Sequence, residues 1–490
     1  MLQQFLKKIG IHSIIYGIGN MSYAIPGFIL IPLYTRYLVP SEYGIYSLLT
    51  MFFGILLYVY ELGMVGALSR QFYEHDDDEK RKRVISTAFF FSLIYCLVLT
   101  GLLCVFRNGI SRLLFKTPAY DYIVTLGLAA IFFQALIFIP QTVIRLREKP
   151  MLYVAMVCVY IGLLIFFTIL FLVILKTGLP GIYQALLWTS AISFAAYIAF
   201  TIKNYTFKFS FTELKHLLYL GFAFFPALLF SWVIESSDRF ILNMLTNLSD
   251  VGIYSLGYKV GQVPMLLVRS FNLAWLPIMF SVVKTENAER MFGKIATYFV
   301  LIISVFIFAL SLFSGELIRV LATIEYAGAH RIIFLIALSH LFYGLYVFFL
   351  TGMIIKKKLY SLPIVLFAGA ALNIGLNFVL IPRYNIMGAA AATLVSYMLV
   401  AFLAYYFAQR SYRISYETRK MAKIILSGII VYFVSTLVRI ENLYLSIGIR
   451  TVFLCAYIAI LYALGVIKNQ DILKLKKIFV NSSKDKQKLD

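Results

Sequence analysis

The chain has 490 residues, of which 62% are hydrophobic and only 13% are charged, and its formal net charge is +22. Soluble globular domains carry roughly twice that charged fraction, so the composition excludes a soluble protein and is typical of a polytopic membrane protein. The positive charge is concentrated in short loops and a Lys-rich C-terminal tail. This distribution favours anionic membrane lipids as a partner and argues against nucleic-acid binding.

Apolar stretches long enough to cross a bilayer recur along the whole chain. About 20 helical residues span a hydrocarbon core, and these stretches lack the alternation of a barrel strand, so each is predicted to be an α-helix. The sequence therefore predicts an all-α membrane protein with about fourteen transmembrane helices. In chain order, the predicted spans are 11–33, 43–66, 84–106, 120–142, 151–175, 179–202, 216–235, 254–280, 294–315, 330–351, 360–381, 386–407, 421–438 and 444–466.

Lys and Arg residues are distributed unevenly over the loops between these spans. Placing the N-terminus in the cytoplasm puts most of them on the cytoplasmic side, as the positive-inside rule favours. We therefore expect both termini to be cytoplasmic. Lys7 and Lys8 precede the first span without a cleavage site after it, so this span is expected to be retained. Pro residues such as Pro32 and Pro264 predict kinks in the spans.

One segment of the chain occurs twice, 208 positions apart. Residues 40–48 read PSEYGIYSL, and residues 248–256 read LSDVGIYSL. Two further matches fall in nearly the same register, at the start of spans six and twelve and in the basic turns before spans five and eleven. Together they predict two six-helix lobes. Because six is even, the lobes share one orientation and are related by a pseudo-twofold axis along the membrane normal.

The predicted organisation follows from this repeat. Parallel repeats of this kind occur in secondary transporters, whose central site opens alternately to the two sides of the membrane. The predicted parts are an N-lobe at 1–205, a C-lobe at 206–410, two further helices at 411–466 and a basic cytoplasmic tail at 467–490.

Four segments resemble the polysaccharide and O-antigen flippases of the multidrug/oligosaccharidyl-lipid/polysaccharide exporter superfamily. They are IPLYTRYLVPSEYGIYSL, YELGMVGALSRQFYE, ESSDRFILNMLTNLSDVGIYSLGYKV and YNIMGAAAATLVS. The resemblance implies a bacterial inner-membrane protein that moves a polyprenyl-pyrophosphate-linked oligosaccharide from the cytoplasmic to the periplasmic leaflet for surface polysaccharide or O-antigen assembly. It also implies two lobes around a cationic cavity, and it leaves open whether a polysaccharide polymerase is a partner.

The resemblance also marks individual residues. Glu61 stands in the ELG motif where the family often has Asp, Arg70 matches the Arg that follows it, and Asp238 and Arg239 form the DRF motif. No cofactor is implied beyond a H⁺ or Na⁺ gradient as the energy source, and the sequence does not distinguish these two ions.

Ionisable side chains inside apolar spans are costly unless they face a partner or water, so each is a functional candidate. The substrate-binding candidates are Arg269, Lys259 and Arg70, and the coupling or gating candidates are Glu61, Asp238, Arg239 and Glu235. Arg269 lies 208 positions after Glu61, so we hypothesise that the two meet in one state of the transport cycle, after which Arg269 takes the lipid pyrophosphate. A static salt bridge or an Arg that reaches the interface are the alternatives.

Two helical spacings add to these assignments. Lys259 and Arg269 lie ten residues apart in span eight, which places them on overlapping faces of one helix. Glu235 and Arg239 are four residues apart and are expected to pair at the end of span seven. Carboxylates there would bind a coupling H⁺ or Na⁺; the alternative is a charge network at the periplasmic helix end.

Other functions compete with a polysaccharide flippase. Within the superfamily these are a peptidoglycan-precursor flippase and a drug/cation antiporter. From another class, a membrane-embedded glycan polymerase or phosphotransferase would need a catalytic site, and the only acidic cluster is at 74–83. That cluster runs directly into basic residues and is expected to be a solvated loop. No catalytic or metal-ligand spacing of Cys or His residues is present.

Overall fold

The computed structural model describes residues 25–356, 358, 361–438 and 442–466. Regular structure in these residues is helical throughout and includes no strand, which confirms the all-α prediction. Ten of the described segments are long and apolar enough to cross a membrane, so the chain is a multi-pass membrane protein. The predicted count of fourteen is not confirmed. Lys7, Lys8, most of the first span and the basic tail lie outside the described residues.

Predicted span two is longer than expected and is broken near its middle. The first helices are α1 (Ile25–Ile29), α2 (Ile31–Tyr37), α3 (Pro40–Glu61) and α4 (Met64–Glu74). Leu62 and Gly63 separate α3 from α4 and both have a positive φ, of 49° and 69°. A non-glycine residue such as Leu62 rarely adopts this conformation, so the surrounding structure must hold the break in place.

Spans three to six agree with the predicted helices. They are α5 (Asp78–Val105), the short α6 (Arg107–Phe115), α7 (Asp121–Leu146), α8 (Pro150–Thr168) and α9 (Leu179–Thr201). The last turns of span five, Ile169–Ile174, are a π-helix, and Ile202–Asn204 forms a 3₁₀ turn after α9. Helix α9 packs along α7 and α8. Buried Ile137, Tyr153, Val157 and Tyr197 fill the space among the three helices.

Span seven continues well beyond its predicted end at residue 235. Helix α10 (Phe211–Leu245) has 35 residues and is roughly 50 Å long at 1.5 Å per residue. Asp238 and Arg239 therefore lie inside a helix, two turns before its end, and both are buried. The predicted position of these residues at the end of span seven is corrected, because the apolar stretch stops earlier than the hydrogen-bonded backbone does, and the alternative of a charge network at the helix end does not describe this pair.

Span eight is two helices rather than one. Helices α11 (Leu248–Gly261) and α12 (Val263–Val282) meet at Gln262. Pro264 occupies the first turn of α12, where its missing N–H has no helical partner to lose. The prediction of a kink near Pro264 is confirmed. The prediction that Lys259 and Arg269 share one helix is wrong, since they lie on opposite sides of this break.

The remaining helices complete the chain. They are α13 (Ala288–Leu312), α14 (Ser314–Leu321), a 3₁₀ segment at Ile324–Ala329, α15 (His330–Ile355), α16 (Leu362–Tyr384), α17 (Ile386–Ser411), α18 (Thr418–Thr436) and α19 (Leu443–Ala463).

The described residues divide into two compact units. Unit 1 takes those within 1–259, 321–329 and 360–399, and unit 2 takes those within 260–320, 330–359 and 400–490. In unit 1, α10 packs against α16 and α4. In unit 2, α13 packs against α15 and α18. The predicted lobe boundary at 205 and 206 falls inside unit 1 and stays a prediction.

In unit 1, the two copies of the repeated segment contact each other through glycines. A Cβ atom on Gly44 of α3 would lie 2.0 Å from the carbonyl oxygen of Leu248, and one on Gly252 of α11 would lie 1.9 Å from that of Pro40. The two contacts are equivalent under the repeat. Adding 208 to Gly44 gives Gly252, and adding 208 to Pro40 gives Leu248. The helix backbones thus touch directly, with Cα–H groups directed at carbonyl oxygens.

A hydrogen bond of the same symmetry accompanies the glycine contact. Ser47 Oγ donates to Ser255 Oγ over 2.6 Å, and these two residues are also 208 positions apart. Two Cα–H···O contacts and one hydroxyl pair together contribute about 2–3 kcal/mol. The contact is therefore specific in position and modest in strength. We call the contact made by Gly44, Gly252, Ser47 and Ser255 the glycine crossing.

In unit 2, the hairpin of α18 and α19 is held at three levels. Glu417, just before α18, accepts hydrogen bonds from Lys420 Nζ at 2.6 Å and Thr297 Oγ1 at 2.9 Å. Burial opposes its ionisation, but these bonds outweigh that effect and lower the pKa of Glu417 below its usual 4.5. The ionised Glu417 carboxylate therefore stabilises the fold fully at neutral pH. This stabilisation is lost as the pH falls below 4.5 and through the lower pKa of the folded state.

The middle of the hairpin is held by stacked aromatic rings, and its far end is held by an arginine. The rings of Tyr432 and Phe334 stack with centroids 3.9 Å apart. At the far end, Arg450 Nη1 donates to the carbonyl oxygen of Ser435 near the end of α18, and the Arg450 guanidinium lies 4.0 Å from Glu316. The hairpin thus belongs structurally to unit 2.

We predict that Gly428→Leu destabilises this hairpin. A Cβ atom at Gly428 would lie 1.9 Å from the ring of Phe308, so a side chain must displace α18 from α13. Overpacking of this kind costs typically 1–3 kcal/mol, which is roughly a few degrees in the melting temperature of the purified protein. Gly448→Leu on α19 is the matched control, because nothing lies within 4 Å of its Cβ position. An equal loss in both variants would contradict this packing.

Candidate functional site

A carboxylate and a guanidinium lie side by side in the interior of α10. Asp238 is fully buried, and Arg239 is only 3% exposed. Asp238 Oδ1 accepts hydrogen bonds from Arg239 Nη1 at 3.0 Å and from the Arg239 backbone N–H at 2.8 Å. Its Oδ2 accepts from the hydroxyl groups of Tyr254 and of Thr393, the latter at 3.4 Å. Three donors thus satisfy this carboxylate, and the Thr393 hydroxyl, whose single proton is shared with the Ala389 carbonyl oxygen at 3.2 Å, makes a longer fourth contact.

Two tyrosine rings enclose the guanidinium of Arg239. Its central carbon lies 4.0 Å from the ring centre of Tyr258 and 5.5 Å from that of Tyr254. A desolvated cation over an aromatic face gains about 2 kcal/mol. Tyr254 and Tyr258 are four residues apart on α11 and therefore lie on one face of that helix.

Arg239 makes a different ion pair from the predicted one. Its Nη1 donates to the backbone carbonyl oxygen of Glu235 at 2.8 Å, while its ion-pair partner is the neighbouring Asp238. The side chain of Glu235 is half-buried. The predicted i to i+4 pairing is thus corrected to a contact with the backbone, and the site contains one carboxylate in direct contact rather than a carboxylate cluster.

The ion pair joins three helices of unit 1. Helix α10 supplies Asp238 and Arg239, α11 supplies the two tyrosines, and α17 supplies Thr393. Taking two charges out of water costs several kcal/mol per ion unless they pair and every hydrogen-bonding position is used. Here the two charges cancel and the carboxylate is hydrogen-bonded at both oxygens, while Arg239 Nε has no hydrogen-bond partner among the described residues and faces the tyrosine rings only through the guanidinium as a whole. We call these five residues the ion-pair cluster.

A second polar group lies next to the cluster on α10. Ser237 Oγ donates to Asn373 Oδ1 at 3.1 Å, and Asn377 Nδ2 donates to the same oxygen at 3.0 Å. Both asparagines are fully buried on α16, one turn apart. Asn373 Nδ2 and Asn377 Oδ1 have no hydrogen-bond partner among the described residues. Unpaired buried amide atoms destabilise a structure, so these two atoms are available to hydrogen-bond a further polar group.

The sequence reasoning missed five of these polar residues. They are Tyr254, Tyr258, Asn373, Asn377 and Thr393. The signal for the asparagines was present, since two amides four residues apart inside an apolar span predict a shared buried face. The tyrosines gave no such signal, because Tyr is common throughout this sequence and is usually interfacial.

Lys259 is a half-buried cation near the end of α11. Its side chain passes close to Gly27 of α1, where a Cβ atom would lie 3.2 Å from Lys259 Cε and 3.6 Å from Nζ. The ion pairs found among the described residues do not include Lys259. It therefore differs from Arg239, whose charge is neutralised within the protein.

Glu61 lies at the end of α3, at the break in span two. Its carboxylate lies near the backbone N–H of Val65, in the first turn of α4, and near Arg145. A negative charge is favourable at the N-terminus of a helix. A Cβ atom on Gly63 would lie 2.4 Å from the carbonyl oxygen of Gly221, so α10 approaches the break closely. The hypothesis that Glu61 meets Arg269 stays a prediction.

The two remaining candidates lie on exposed helix faces. Arg70 is 66% exposed, and its Nε pairs with Glu74 at 3.2 Å along α4. The structure therefore does not place Arg70 in the ion-pair cluster. Arg269 is exposed on α12 in unit 2, near the buried His340 of α15.

The acidic segment 74–83 has a structural role. Asp77 accepts a hydrogen bond from the Glu79 backbone N–H at the start of α5. Asp78 pairs with Arg147 at 2.6 Å and with Lys82 at 3.1 Å. Within the described part of the chain, no group of three or more His, Cys, Asp or Glu side chains could hold a metal ion.

Comparison with known proteins finds one family model that covers more than half of this chain. The family model described as "Polysaccharide biosynthesis protein" matches residues 6–283. Lsg locus putative protein 1 of Haemophilus influenzae is 24% identical over 282 residues, which is 56% of this chain and 67% of that protein.

Solved structures share the fold at low sequence identity. The lipid II flippase MurJ in an inward closed conformation superposes with a TM-score of 0.74, at 16% identity, over 93% of this chain and 100% of that one. An inward-facing multidrug resistance MATE family transporter of the MOP superfamily gives a TM-score of 0.64, at 16% identity, over 80% and 97% of the two chains. The likeness establishes the fold.

We predict strong energetic coupling between Asp238 and Arg239. Asp238→Leu or Arg239→Met alone leaves a buried charge unpaired, which costs roughly 3–5 kcal/mol. The double variant removes both charges and is expected to melt at a higher temperature than either single variant. Thermal unfolding of the purified protein in detergent measures this difference. Additive losses in the double variant would show that the two side chains do not interact.

Proposed function

Because the chain belongs to the polysaccharide biosynthesis protein family, we propose that it is a flippase for a polyprenyl-pyrophosphate-linked oligosaccharide. It would move this lipid from the cytoplasmic to the periplasmic leaflet of the bacterial inner membrane for surface polysaccharide or O-antigen assembly. The fold supports this proposal, since a protein named as a lipid II flippase superposes on nearly the whole chain.

One observation carries the choice of cargo: Lys259 is a half-buried cation near the end of α11, and the ion pairs of the described residues do not include it. An uncompensated charge there costs several kcal/mol unless water or an anionic ligand faces it. A pyrophosphate supplies the missing negative charge, and an ammonium group binds phosphate oxygens as a point charge. Gly27 leaves space for the lysine side chain beside α1.

Arg269 stays a prediction as a cargo contact. It is exposed on α12 of unit 2, and its planar guanidinium can donate two parallel hydrogen bonds to phosphate oxygens. Arg70 is less suited, because Glu74 already neutralises it. The proposed cargo contact in unit 1 is therefore Lys259.

The ion-pair cluster is the proposed coupling site, with H⁺ as the coupling ion. Protein donors already occupy the oxygens of Asp238, and Arg239 already balances its charge. A Na⁺ ion would have to displace these donors, whereas a proton only has to compete with them. Protonation of Asp238 would remove the charge that holds Arg239 and so weaken the junction of α10, α11 and α17.

Competing functions fit these observations less well. A drug/cation antiporter would bring a second positive charge towards Lys259. A phosphotransferase would need free acidic ligands, but Asp77 and Asp78 are used in capping and ion pairing. A peptidoglycan-precursor flippase shares the pyrophosphate chemistry, so the cargo experiment must compare both lipids. A polysaccharide polymerase is the proposed recipient of the flipped product.

We predict that Lys259→Met lowers transport of a labelled polyprenyl-pyrophosphate oligosaccharide in proteoliposomes. Loss of a charge-assisted contact of 1.5–3 kcal/mol corresponds to roughly 10- to 100-fold in affinity. Lys203→Met is the matched control, because Lys203 is exposed after α9. Arg269→Met is expected to weaken transport as well, and lipid II serves as the comparison cargo. Wild-type activity in Lys259→Met would remove this residue from the site.

Coupling is tested by Asp238→Asn, which keeps the shape of the side chain but cannot take up a proton. We expect a pH gradient to accelerate transport by the wild type and a Na⁺ gradient to have no effect. In Asp238→Asn the acceleration should disappear while cargo binding persists. Acceleration by Na⁺ alone would reject H⁺ as the coupling ion. Normal gradient dependence in the variant would reject Asp238 as the coupling site.

A further inference from the structure

The linker between α9 and α10 is held in a fixed position on α5. The backbone N–H of Thr206 donates to Ser86 Oγ at 2.7 Å, and that of Ser210 donates to Thr87 Oγ1 at 3.2 Å. Ser86 and Thr87 are both fully buried. Because two backbone groups bind buried hydroxyl groups, the side chains of this linker project from a defined backbone.

Large aromatic side chains in and after the linker project away from the protein. Phe207 is 99% exposed, Phe211 in the first turn of α10 is 80% exposed, and Tyr219 is 76% exposed. Phe211, Lys215 and Tyr219 follow one another at intervals of four residues, so they lie on one face of α10. A ring left in water loses the free energy that burial would gain, so rings this exposed indicate an apolar surrounding.

Two lysines accompany these rings. Lys208 directly follows Phe207 in the linker, and Lys215 lies on the aromatic face of α10; both are exposed. The carboxylate of the same stretch, Glu213, is half-buried and accepts a hydrogen bond from Gln71. The ion pairs of the described residues include neither lysine. The surface is therefore both aromatic and positively charged.

The helix that leads into this linker has an exposed apolar face. Trp188, Ile192 and Phe200 of α9 are exposed, and their spacings of four and eight residues place them on one side of the helix. This helix is long and apolar enough to cross a membrane. The linker therefore follows a membrane-spanning helix directly, at the level where aromatic rings and lysines meet the lipid headgroups.

We propose that Phe207, Lys208, Phe211, Lys215 and Tyr219 form a binding site for the headgroup of an anionic phospholipid. Under the orientation expected from the Lys and Arg distribution, this lipid belongs to the cytoplasmic leaflet. The rings lie among the lipids at headgroup depth, and the two ammonium groups contact phosphate oxygens. A segment of a soluble protein is the competing occupant. The lipid is favoured because both lysines complement its negative charge and because α9 leads into the linker from the membrane.

The test measures which lipid surrounds Phe207→Trp. Trp188 and Trp232 are replaced by phenylalanine, while the buried Trp275 stays as a constant background. The vesicles contain equal amounts of phosphatidylglycerol and phosphatidylcholine, and one or the other is brominated so that it quenches tryptophan fluorescence. One lysine at a membrane surface enriches anionic lipid by roughly fivefold, so we expect a preference for phosphatidylglycerol of at least about fivefold. Phe166→Trp, at an exposed position of the apolar α8, is the reference reporter and should show no preference.

Charge variants distinguish this site from the overall positive charge of the protein. In Lys208→Gln with Lys215→Gln, the preference at Phe207→Trp should fall to that of the reference reporter. Lys80→Gln with Lys284→Gln removes the same charge from other loops and should leave the preference unchanged. All four lysines are exposed, so these variants are expected to keep their fold.

Two results would overturn the lipid site. One is equal quenching by the two brominated lipids at Phe207→Trp, or a preference that persists without Lys208 and Lys215. The other is much weaker quenching by both lipids than at Phe166→Trp, which would place the rings outside the bilayer and favour a protein partner. No cargo is present in this test, so its outcome is independent of the proposed transport. If the pyrophosphate lipid is not moved but the preference is found, only the proposed function is wrong.

Discussion

The requirement that buried charges be neutralised organises the junction of α10, α11 and α17 in unit 1. Asp238 and Arg239 satisfy it together, and they do so only because α11 and α17 bring hydroxyl groups and aromatic rings to the same place on α10. Without those helices, the pair would be two unsolvated ions. The packing of three helices and the burial of one ion pair are therefore a single structural feature.

Helix α11 connects this cluster to the other features of unit 1. Within 14 residues it contributes Gly252 and Ser255 to the contact with α3, Tyr254 and Tyr258 to the ion-pair cluster, and Lys259 to the neighbourhood of Gly27. By helical spacing, Gly252, Ser255 and Lys259 share one face of this short helix, and Tyr254 and Tyr258 lie on another. A displacement of α11 away from α3 must therefore also move the tyrosines and the lysine. In the proposed transporter, coupling and cargo binding are linked by the rigidity of this helix rather than by a long chain of contacts.

Much of the fold and part of the site could be predicted from the sequence. Hydropathy predicted the helical class, and the rule that intramembrane charges are functional candidates selected Asp238, Arg239 and Lys259. The extent of α10 could not be read in this way, because hydropathy falls near Glu235 while backbone hydrogen bonding continues. The partner of Arg239 was also missed. On an exposed helix surface, the spacing of four residues would favour Glu235 as the ion-pair partner of Arg239. In the buried site, Arg239 pairs instead with Asp238, whose carboxylate also accepts hydrogen bonds from neighbouring helices. The tyrosines depend on how α11 packs against α10, which no local pattern encodes.

The two copies of the repeat share the residues of the helix contact but not the ionisable residues of the ion-pair cluster. The glycines and serines of the crossing occur in both copies, whereas the positions 208 residues before Asp238 and Arg239 are Leu30 and Ile31. A symmetric dimer of separate chains would carry two ionisable sites, one in each subunit. Joining the two copies in one polypeptide allows the second copy alone to keep the charges. On the proposed mechanism, a single ion-pair cluster in the second copy then serves both copies of the repeat.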